Sequence, residues 1–451
     1  MAAPARTTTT RARPPAINYL RLFAMRHDPL GAFTSLAREY GHVLRFKGLY
    51  TSYLLTHPAD VERVLQTNAH NYVKGRSYQK FRESTGNGLL ISDGELWRRQ
   101  RRLVQPAFHR RHLDAFAAVM AREAEAQVAR WRPFAARGET LDAAAEMMRL
   151  TLRVVGLTMF STDLTDEADM IGRSLDVIRA HAIRRMWQPV SIPANWPTPG
   201  NLRFRRALAE GDRVINSLID ARRTGRVENE DLLSLLIKAH DEETGAGMSD
   251  EQLRAEAVTI IGAGHETTAV TLSWLWYLLS GHREVEERLH AELERELGGR
   301  TPTMEDLPRL RYAAMVCEET MRLYPPAWAL SRTALGPDAY GGYPIAAGSE
   351  ALLLPYVTHR HPDFWDDPEK FDPERFDPGR AAARPRFAHF PFGGGPRQCI
   401  GQHFAMAEML IVLAAIAQRF TLRLAPGHEV EPEASITLRP RGGLPVTLRE
   451  R

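Results

Sequence analysis

Apolar residues recur every three or four positions over much of the chain, which is the spacing that places them on one face of an α-helix. Asp28-Pro29 opens the first such stretch and Gly41 closes it, with proline in the first turn and glycine just past the end. Further helical stretches run over residues 112–131, 142–160, 167–185 and 202–223. The middle of the chain is therefore predicted to be helical.

The longest predicted helix follows Ser249. Ser249 and Gln252 form a capping-box pattern, in which each side chain bonds the backbone N–H of the other residue. No proline interrupts the pattern before about Ser280, so the helix would extend about 45 Å at about 1.5 Å per residue. Such a helix is long enough to cross a whole domain.

Two further signals concern the helical region. Ser92 and Glu95 predict another capping box, just before Trp97. The Pro-rich residues 188–200 separate two helical stretches and predict a loop that covers a pocket.

Strand-like alternation is confined to short segments. Val43–Phe46 and Ser52–Thr56 predict a hairpin. After the helix that ends at Pro325-Pro326, strands and turns dominate, apart from one last helix at residues 402–420. The predicted fold class is mainly α with small β-sheets.

The composition fits a soluble globular protein: the chain has 451 residues, 44% hydrophobic and 25% charged. No linker divides the chain, so we expect one domain over residues 28–451 behind a flexible leader of residues 1–27. No apolar run reaches the roughly 20 residues of a membrane anchor. The net charge of +4 is mild and does not indicate nucleic acid binding.

The two cysteines, Cys317 and Cys399, lie in unrelated local patterns, so we expect no disulfide and a reducing, cytoplasmic setting. Cys399 belongs to residues 392–401, FGGGPRQCIG, just before a predicted helix. Glycines let the backbone approach a flat ligand, and a helix N-terminus favours a thiolate. A single thiolate without zinc-spaced partners points to an iron that takes its other ligands from a macrocycle. A buried structural cysteine in a glycine-rich turn is an equal alternative on these residues alone.

The longest helix carries a second candidate, Ala263-Gly264-His265-Glu266-Thr267-Thr268. Small residues at 263 and 264 would let a flat cofactor or dioxygen lie against the helix. A threonine four residues later can bond back to a carbonyl. Taken alone, the segment is also compatible with an ordinary helix interior.

Residues 392–401 resemble the haem-binding signature of the cytochrome P-450 family. Its required positions are met by Phe392, Gly395, Arg397, Cys399 and Gly401. The resemblance implies the family's helix-rich fold, with the long helix over the haem. It also implies haem b (iron protoporphyrin IX) as the cofactor and Cys399 as the metal ligand. In this family the thiolate favours cleavage of the O–O bond.

Residues 263–268 resemble the family's oxygen-activation motif. The resemblance places Ala263 and Gly264 beside the cofactor and makes Glu266 and Thr267 the catalytic pair that delivers protons. Trp97, Arg101, Arg332 and Arg397 resemble the family's contacts to the haem propionates. For each of these four, a solvated arginine or a core tryptophan is the plain alternative.

Glu319 and Arg322 share a helix face and would form an ordinary surface pair if considered alone. Together with Arg375 they resemble the family's buried Glu-Arg-Arg triad. We therefore expect these three residues to have a structural role.

The resemblance implies a monooxygenase that activates dioxygen with two external electrons and hydroxylates or epoxidises a hydrophobic small molecule, such as a terpenoid, fatty acyl chain, steroid or polyketide. We expect a monomer without membrane anchor or nucleic acid partner, served by a separate ferredoxin or flavodoxin with its reductase. Arg98, Arg99, Arg101, Arg102, Arg110 and Arg111 could form a basic docking face, although a solvated Arg-rich helix explains them equally well.

Two other functions are compatible with this fold. A peroxide-driven or non-oxidative haem-thiolate enzyme would not require the proton-delivering pair Glu266 and Thr267. A haem-based sensor without turnover would leave that pair and the loop at residues 188–200 unexplained.

Overall fold

The computed structural model describes residues 13–18, 27–48, 50–187, 193–225, 231–241, 243 and 245–451. The chain divides into two compact units. Unit 1 comprises Met1–Gln79, Trp328–Glu369 and Ala383–Cys399. Unit 2 comprises Lys80–Ala327, Lys370–Ala382 and Ile400–Arg451.

The helices, in chain order, are α1 (Pro29–Tyr40), α2 (Pro58–Glu62), α3 (Arg76–Gln79), α4 (Arg82–Thr85), α5 (Gly94–Val104), α6 (Arg110–Arg137), α7 (Ala143–Phe160), α8 (Thr165–Trp187), α9 (Pro199–Arg223), α10 (Leu232–Lys238), α11 (Asp250–Gly281), α12 (Arg283–Leu297), α13 (Arg311–Leu323), α14 (Pro355–Thr358), α15 (Pro378–Ala382) and α16 (Gln402–Ala417). The strands are β1 (Ala16–Asn18), β2 (Val43–Lys47), β3 (Thr51–Leu55), β4 (Tyr72–Lys74), β5 (Thr140–Asp142), β6 (Leu330–Ala334), β7 (Asp338–Tyr340), β8 (Tyr343–Ile345), β9 (Glu350–Leu353), β10 (Phe420–Leu424), β11 (Pro432–Ala434), β12 (Leu438–Pro440) and β13 (Pro445–Glu450).

Unit 1 is built on a six-stranded sheet in the order β1-β2-β3-β9-β6-β4. The predicted hairpin is confirmed, because β2 and β3 pair antiparallel with Val43 opposite Leu55. Helix α1 begins after its cap Asp28 and ends before Gly41, whose φ of 85° favours glycine. The sheet thus joins strands from residues 16–74 to strands from residues 330–353.

Part of the leader does not behave as expected. Ala16–Asn18 form β1, which pairs parallel to β2, and Ile17 is buried. The prediction of a flexible leader over the whole of residues 1–27 is therefore wrong for residues 16–18. The strand is held by its one buried apolar residue and by its pairing to β2. Three residues are too few to show as alternation in the sequence. The leader's residues 1–12 and 19–26 lie outside the described residues.

Unit 2 is mainly helical. Helix α11 has the predicted capping box at Ser249 and Gln252, and its residues pack extensively against α7. Trp274 of α11 is fully buried and donates its indole N–H to the carbonyl of Leu438 at 2.7 Å. A three-stranded sheet in the order β10-β13-β5 accompanies the helices, so the predicted fold class of mainly α with small sheets is confirmed.

The capping box predicted at Ser92 is wrong. Helix α5 begins one residue later, after its N-cap Asp93. Ser92 is fully buried, and its hydroxyl donates to the side-chain carbonyl of Gln100 instead of capping the helix. Burial therefore changed the partner of this hydroxyl.

No helix among the described residues is both long and apolar enough to span a bilayer.

Candidate functional site

In unit 1, the loop that carries Cys399 is closed by its own backbone. The N–H of Cys399 donates to the carbonyl of Phe392 at 3.0 Å, and a short 3-10 turn spans Gly395–Arg397 inside the loop. The side chain of Cys399 is exposed, whereas Cys317 in unit 2 is completely buried. Burial also raises the pKa of the Cys317 thiol, so Cys399 is the cysteine able to bind a ligand as thiolate.

Gly395 is required for a reason other than the one expected from the sequence. Its φ is +65°, and a Cβ there would lie 1.9 Å from the carbonyl oxygen of Leu65. Leu65 belongs to a π-helical turn, Arg63–Thr67, whose backbone packs against the loop. The glycine therefore allows backbone to approach backbone, and the π turn supports the loop that presents Cys399.

Arg332 on β6 is only 5% exposed, which excludes the solvated alternative. Its guanidinium donates to the carbonyl of Ser331 at 2.9 Å. Among the ion pairs of the described residues, none involves Arg332. A buried cation with donors in excess fits an anionic carboxylate ligand.

The remaining candidate in unit 1 is Arg397, which ends the 3-10 turn and is partly exposed. Gly401, in unit 2, caps α16 with an ordinary negative φ, and a Cβ there would make only normal contact with Phe108. Nothing in these contacts requires glycine at position 401.

In unit 2, Ala263 is exposed at mid-length of α11, although buried residues flank it at Ile261 and His265. One side of the helix is thus accessible near residue 263. Gly264 also lets α11 pack closely against α7, since a Cβ there would approach Val155 to 3.2 Å. Its predicted contact with the cofactor stays a prediction.

Thr267 makes the predicted bond back to its helix, because its hydroxyl donates to the carbonyl of Ala263 at 2.7 Å. The hydroxyl thereby occupies the carbonyl of the exposed Ala263 and keeps its own lone pairs available. His265 lies between Ala263 and Thr267 in sequence. Its side chain is buried against its own helix, with Nδ1 2.7 Å from the carbonyl of Ile261.

The carboxylate of Glu266 is held by two residues that sequence reasoning missed. The hydroxyl of Thr437 donates to its Oε1 at 2.6 Å. The guanidinium of Arg179 on α8 lies 3.8 Å from the same oxygen, and both side chains are largely buried. Glu266 is therefore a positioned acid on the accessible stretch of α11, not a solvated helix residue.

Trp97 and Arg101 lie four residues apart on α5, as predicted, and both are partly exposed. The Nε of Arg101 donates to Gln105 at 3.4 Å, a weak bond along the same helix.

The predicted triad is present. Glu319 and Arg322 are fully buried, with Nε and Nη2 of the arginine 2.6 and 2.8 Å from the carboxylate oxygens. Arg375 lies 3.4 Å from Oε1, which also accepts the backbone N–H of Asp372 at 2.9 Å. The triad joins α13 to the segment after residue 370, so its role is structural.

These residues fit a haem. Among the described residues, one group of three or more possible metal ligands is close together, namely His42, His361 and Asp363, and it does not include Cys399. A metal at Cys399 must therefore bring its other ligands within a cofactor. The buried cation Arg332 suits the carboxylates of such a cofactor.

A single thiolate whose metal takes its other ligands from a macrocycle is typical of haem-thiolate proteins. Comparison with known proteins specifies the family. The cytochrome P450 family model matches residues 12–444, so the chain belongs to this family. It is a cytochrome P450 monooxygenase, and haem b is the standard cofactor of the family.

Three relatives from Streptomyces are similar to this chain over nearly their whole length. Cyclooctat-9-en-7-ol 5-monooxygenase of Streptomyces melanosporofaciens is 38% identical over 430 residues, 94% of this chain and 92% of the relative. Cyclooctatin synthase of the same organism is 40% identical over 92% of this chain and 90% of its own. Pentalenene oxygenase of Streptomyces avermitilis is 34% identical over 92% of this chain and 91% of its own.

Proposed function

We propose that Cys399 ligates the haem iron as a thiolate, and that Arg332, Arg397, Trp97 and Arg101 bind the propionates. The exposed thiol on a backbone-closed loop is the observation that carries this proposal. Phe392, Gly395 and Gly401 are proposed to contact the haem from the same segment as Cys399. When bound, the haem would provide the chemistry that reduces dioxygen, with one oxygen atom inserted into the substrate and the other released as water.

The reaction consumes two electrons and two protons for each product molecule, and the protein must relay these protons from water. Glu266 is the proposed proton donor, oriented by Thr437 and Arg179. Thr267 is the proposed hydroxyl relay, since its oxygen adjoins the accessible stretch of helix at Ala263. This pair is what separates a dioxygen-dependent monooxygenase from a peroxide-driven enzyme or a sensor.

Thr267→Ala tests this role. We expect normal haem binding but severalfold less product for each reductant molecule consumed. The lost electrons should appear as hydrogen peroxide, because the hydroxyl that directs proton delivery is missing. Ser273→Ala is the matched control, because Ser273 makes the same bond to the carbonyl four residues earlier at 2.7 Å in the buried part of α11. Equal coupling in Thr267→Ala and the control would refute the proposed role.

The substrate is proposed to be a cyclic terpenoid. Leu90, Ala263 and Ile436 are exposed apolar residues. Ala263 lies on α11, and Leu90 and Ile436 are each next in sequence to a residue that hydrogen-bonds to α11. The names of two relatives specify cyclooctat-9-en-7-ol and pentalenene, both cyclic and unsaturated. Apolar side chains suit such a skeleton, which has few polar groups to bind.

Product analysis distinguishes the substrate classes. Incubation with a panel of cyclic terpenes and with fatty acids of equal carbon number should give terpenes that have gained one oxygen atom. Oxidation of the fatty acids with no terpene product would overturn the substrate class while leaving the monooxygenase intact.

The remaining partners are proposed on chemical grounds. The haem accepts electrons singly, so a one-electron carrier such as a ferredoxin or flavodoxin, with its reductase, suits the reaction. A monomeric enzyme in the cytoplasm, where such carriers operate and thiols stay reduced, fits a chain with two thiols.

A further inference from the structure

Unit 1 contains a cluster of metal-binding side chains that the monooxygenase reaction does not use. His42 lies between α1 and β2, while His361 and Asp363 follow α14. One ligand atom from each of the three lies within 4.8 Å of the others. These side chains come from segments that are 321 positions apart in sequence.

We propose that His42, His361 and Asp363 form a Zn²⁺ site that clamps these two segments together. Two imidazoles and a carboxylate are a ligand set that zinc prefers, and water would complete the coordination. Ligand atoms around tetrahedral zinc lie about 3.3 Å apart, for bonds of about 2.0–2.1 Å. The cluster therefore needs only a small closure, which the exposed side chain of Asp363 can supply.

His42 is already oriented as a metal ligand. Its Nδ1 lies 2.9 Å from the hydroxyl of the fully buried Thr56, which fixes the ring. Its Nε2 lies 2.9 Å from Oδ2 of Asp363. When zinc binds at Nε2, the proton on Nδ1 can stay with Thr56. Zinc then takes the place of the proton shared by Nε2 and the Asp363 carboxylate, and that proton is released to water.

His361 also presents a lone pair toward the cluster. The backbone N–H of Asp363 points at its Nδ1 at 3.3 Å, and that nitrogen lies 3.8 Å from Oδ1 of Asp363. This nitrogen accepts the bond through its one lone pair, so zinc bound there would take the place of the N–H donor.

Zinc content tests the site in the haem-loaded, full-length protein, in which the Cys399 thiol is engaged. After chelator treatment and dialysis against buffered zinc, elemental analysis should find close to one zinc ion per chain in the wild type. His42→Gln and Asp363→Asn should lose most of it. His240→Gln is the matched control, because His240 is an exposed histidine in unit 2 and should keep full zinc content.

A second measurement separates a clamp from a fortuitous ligand set. Added zinc should raise the thermal unfolding midpoint of the wild type and of His240→Gln, but not that of Asp363→Asn, whose exposed position leaves the fold intact. Wild-type zinc content no higher than that of His42→Gln, or zinc stabilisation retained in Asp363→Asn, would overturn the proposal.

Discussion

Glu266 shows how much a single residue's role depends on residues far from it in sequence. Its identity as an acid before threonine was evident from the motif, but its partners were not. Thr437 is 171 positions away and Arg179 lies on another helix, so no local pattern indicated either contact. A hydroxyl that donates to the carboxylate fixes its direction, which is what proton delivery requires.

Thr437→Val tests this positioning role. Valine keeps the shape of threonine but removes the hydroxyl that bonds Oε1 of Glu266. We expect severalfold lower coupling of reductant use to product, with an unchanged haem spectrum. Thr437→Ser restores the hydroxyl and should recover most of the coupling.

Equal loss in the valine and serine variants would show that only the shape of residue 437 matters. In that case Glu266 would not depend on Thr437 for its orientation.

Glycines illustrate the same limit at the residue scale. The sequence indicated that Gly264 and Gly395 allow close approach, and both do. Their close neighbours within the protein are Val155 and the carbonyl of Leu65. A motif identifies where a small residue is required, whereas only the packed chain shows what approaches it.

At the scale of elements, α11 was predicted closely because its signals are local. The capping box at Ser249 and the lack of proline set its start and length. β5 was missed, because its three residues are held by pairing with β13, which is distant in sequence. Such pairing does not show as a local alternation of apolar and polar residues.

One contact of α11 gives a prediction about pH. The fully buried Glu256 accepts the backbone N–H of Leu89 at 3.1 Å, which ties the loop before α5 to the helix. Burial raises the pKa of Glu256 to about 7. The folded protein therefore holds a proton that the unfolded chain releases at lower pH, so this group's contribution to stability falls as pH rises from about 4.5 to about 7 and is constant above.

Glu256→Gln keeps an oxygen acceptor and removes the ionisable group. The variant should gain up to about 3 kcal/mol in unfolding free energy relative to wild type at about pH 8, and much less at about pH 5. Urea unfolding at both pH values measures the difference. Glu251→Gln, an exposed change on the first turn of the same helix, should show no such pH dependence. A Glu256→Gln effect that is equal at both pH values would contradict the argument.

At the scale of the whole molecule, periodicity and composition predicted a mainly helical protein with small sheets, and the family match over residues 12–444 confirms the family. The basic docking face is less well supported. Arg98 pairs with Glu95, Arg102 pairs with Asp241 and Arg99 bonds the carbonyl of Gly247. Counting charges along the helix could not reveal these internal partners. Because the three arginines already bond within the protein, the case for a docking face made of them is weaker.

The central claim is that Cys399 is the thiolate ligand of the haem, and the carbon monoxide difference spectrum of the reduced protein tests it most directly. Wild type and Cys317→Ser, the same change at the buried cysteine, should both show the thiolate-type shift of the Soret band. Cys399→Ser should lose that shift while the fold persists. A thiolate-type band retained in Cys399→Ser would contradict the account.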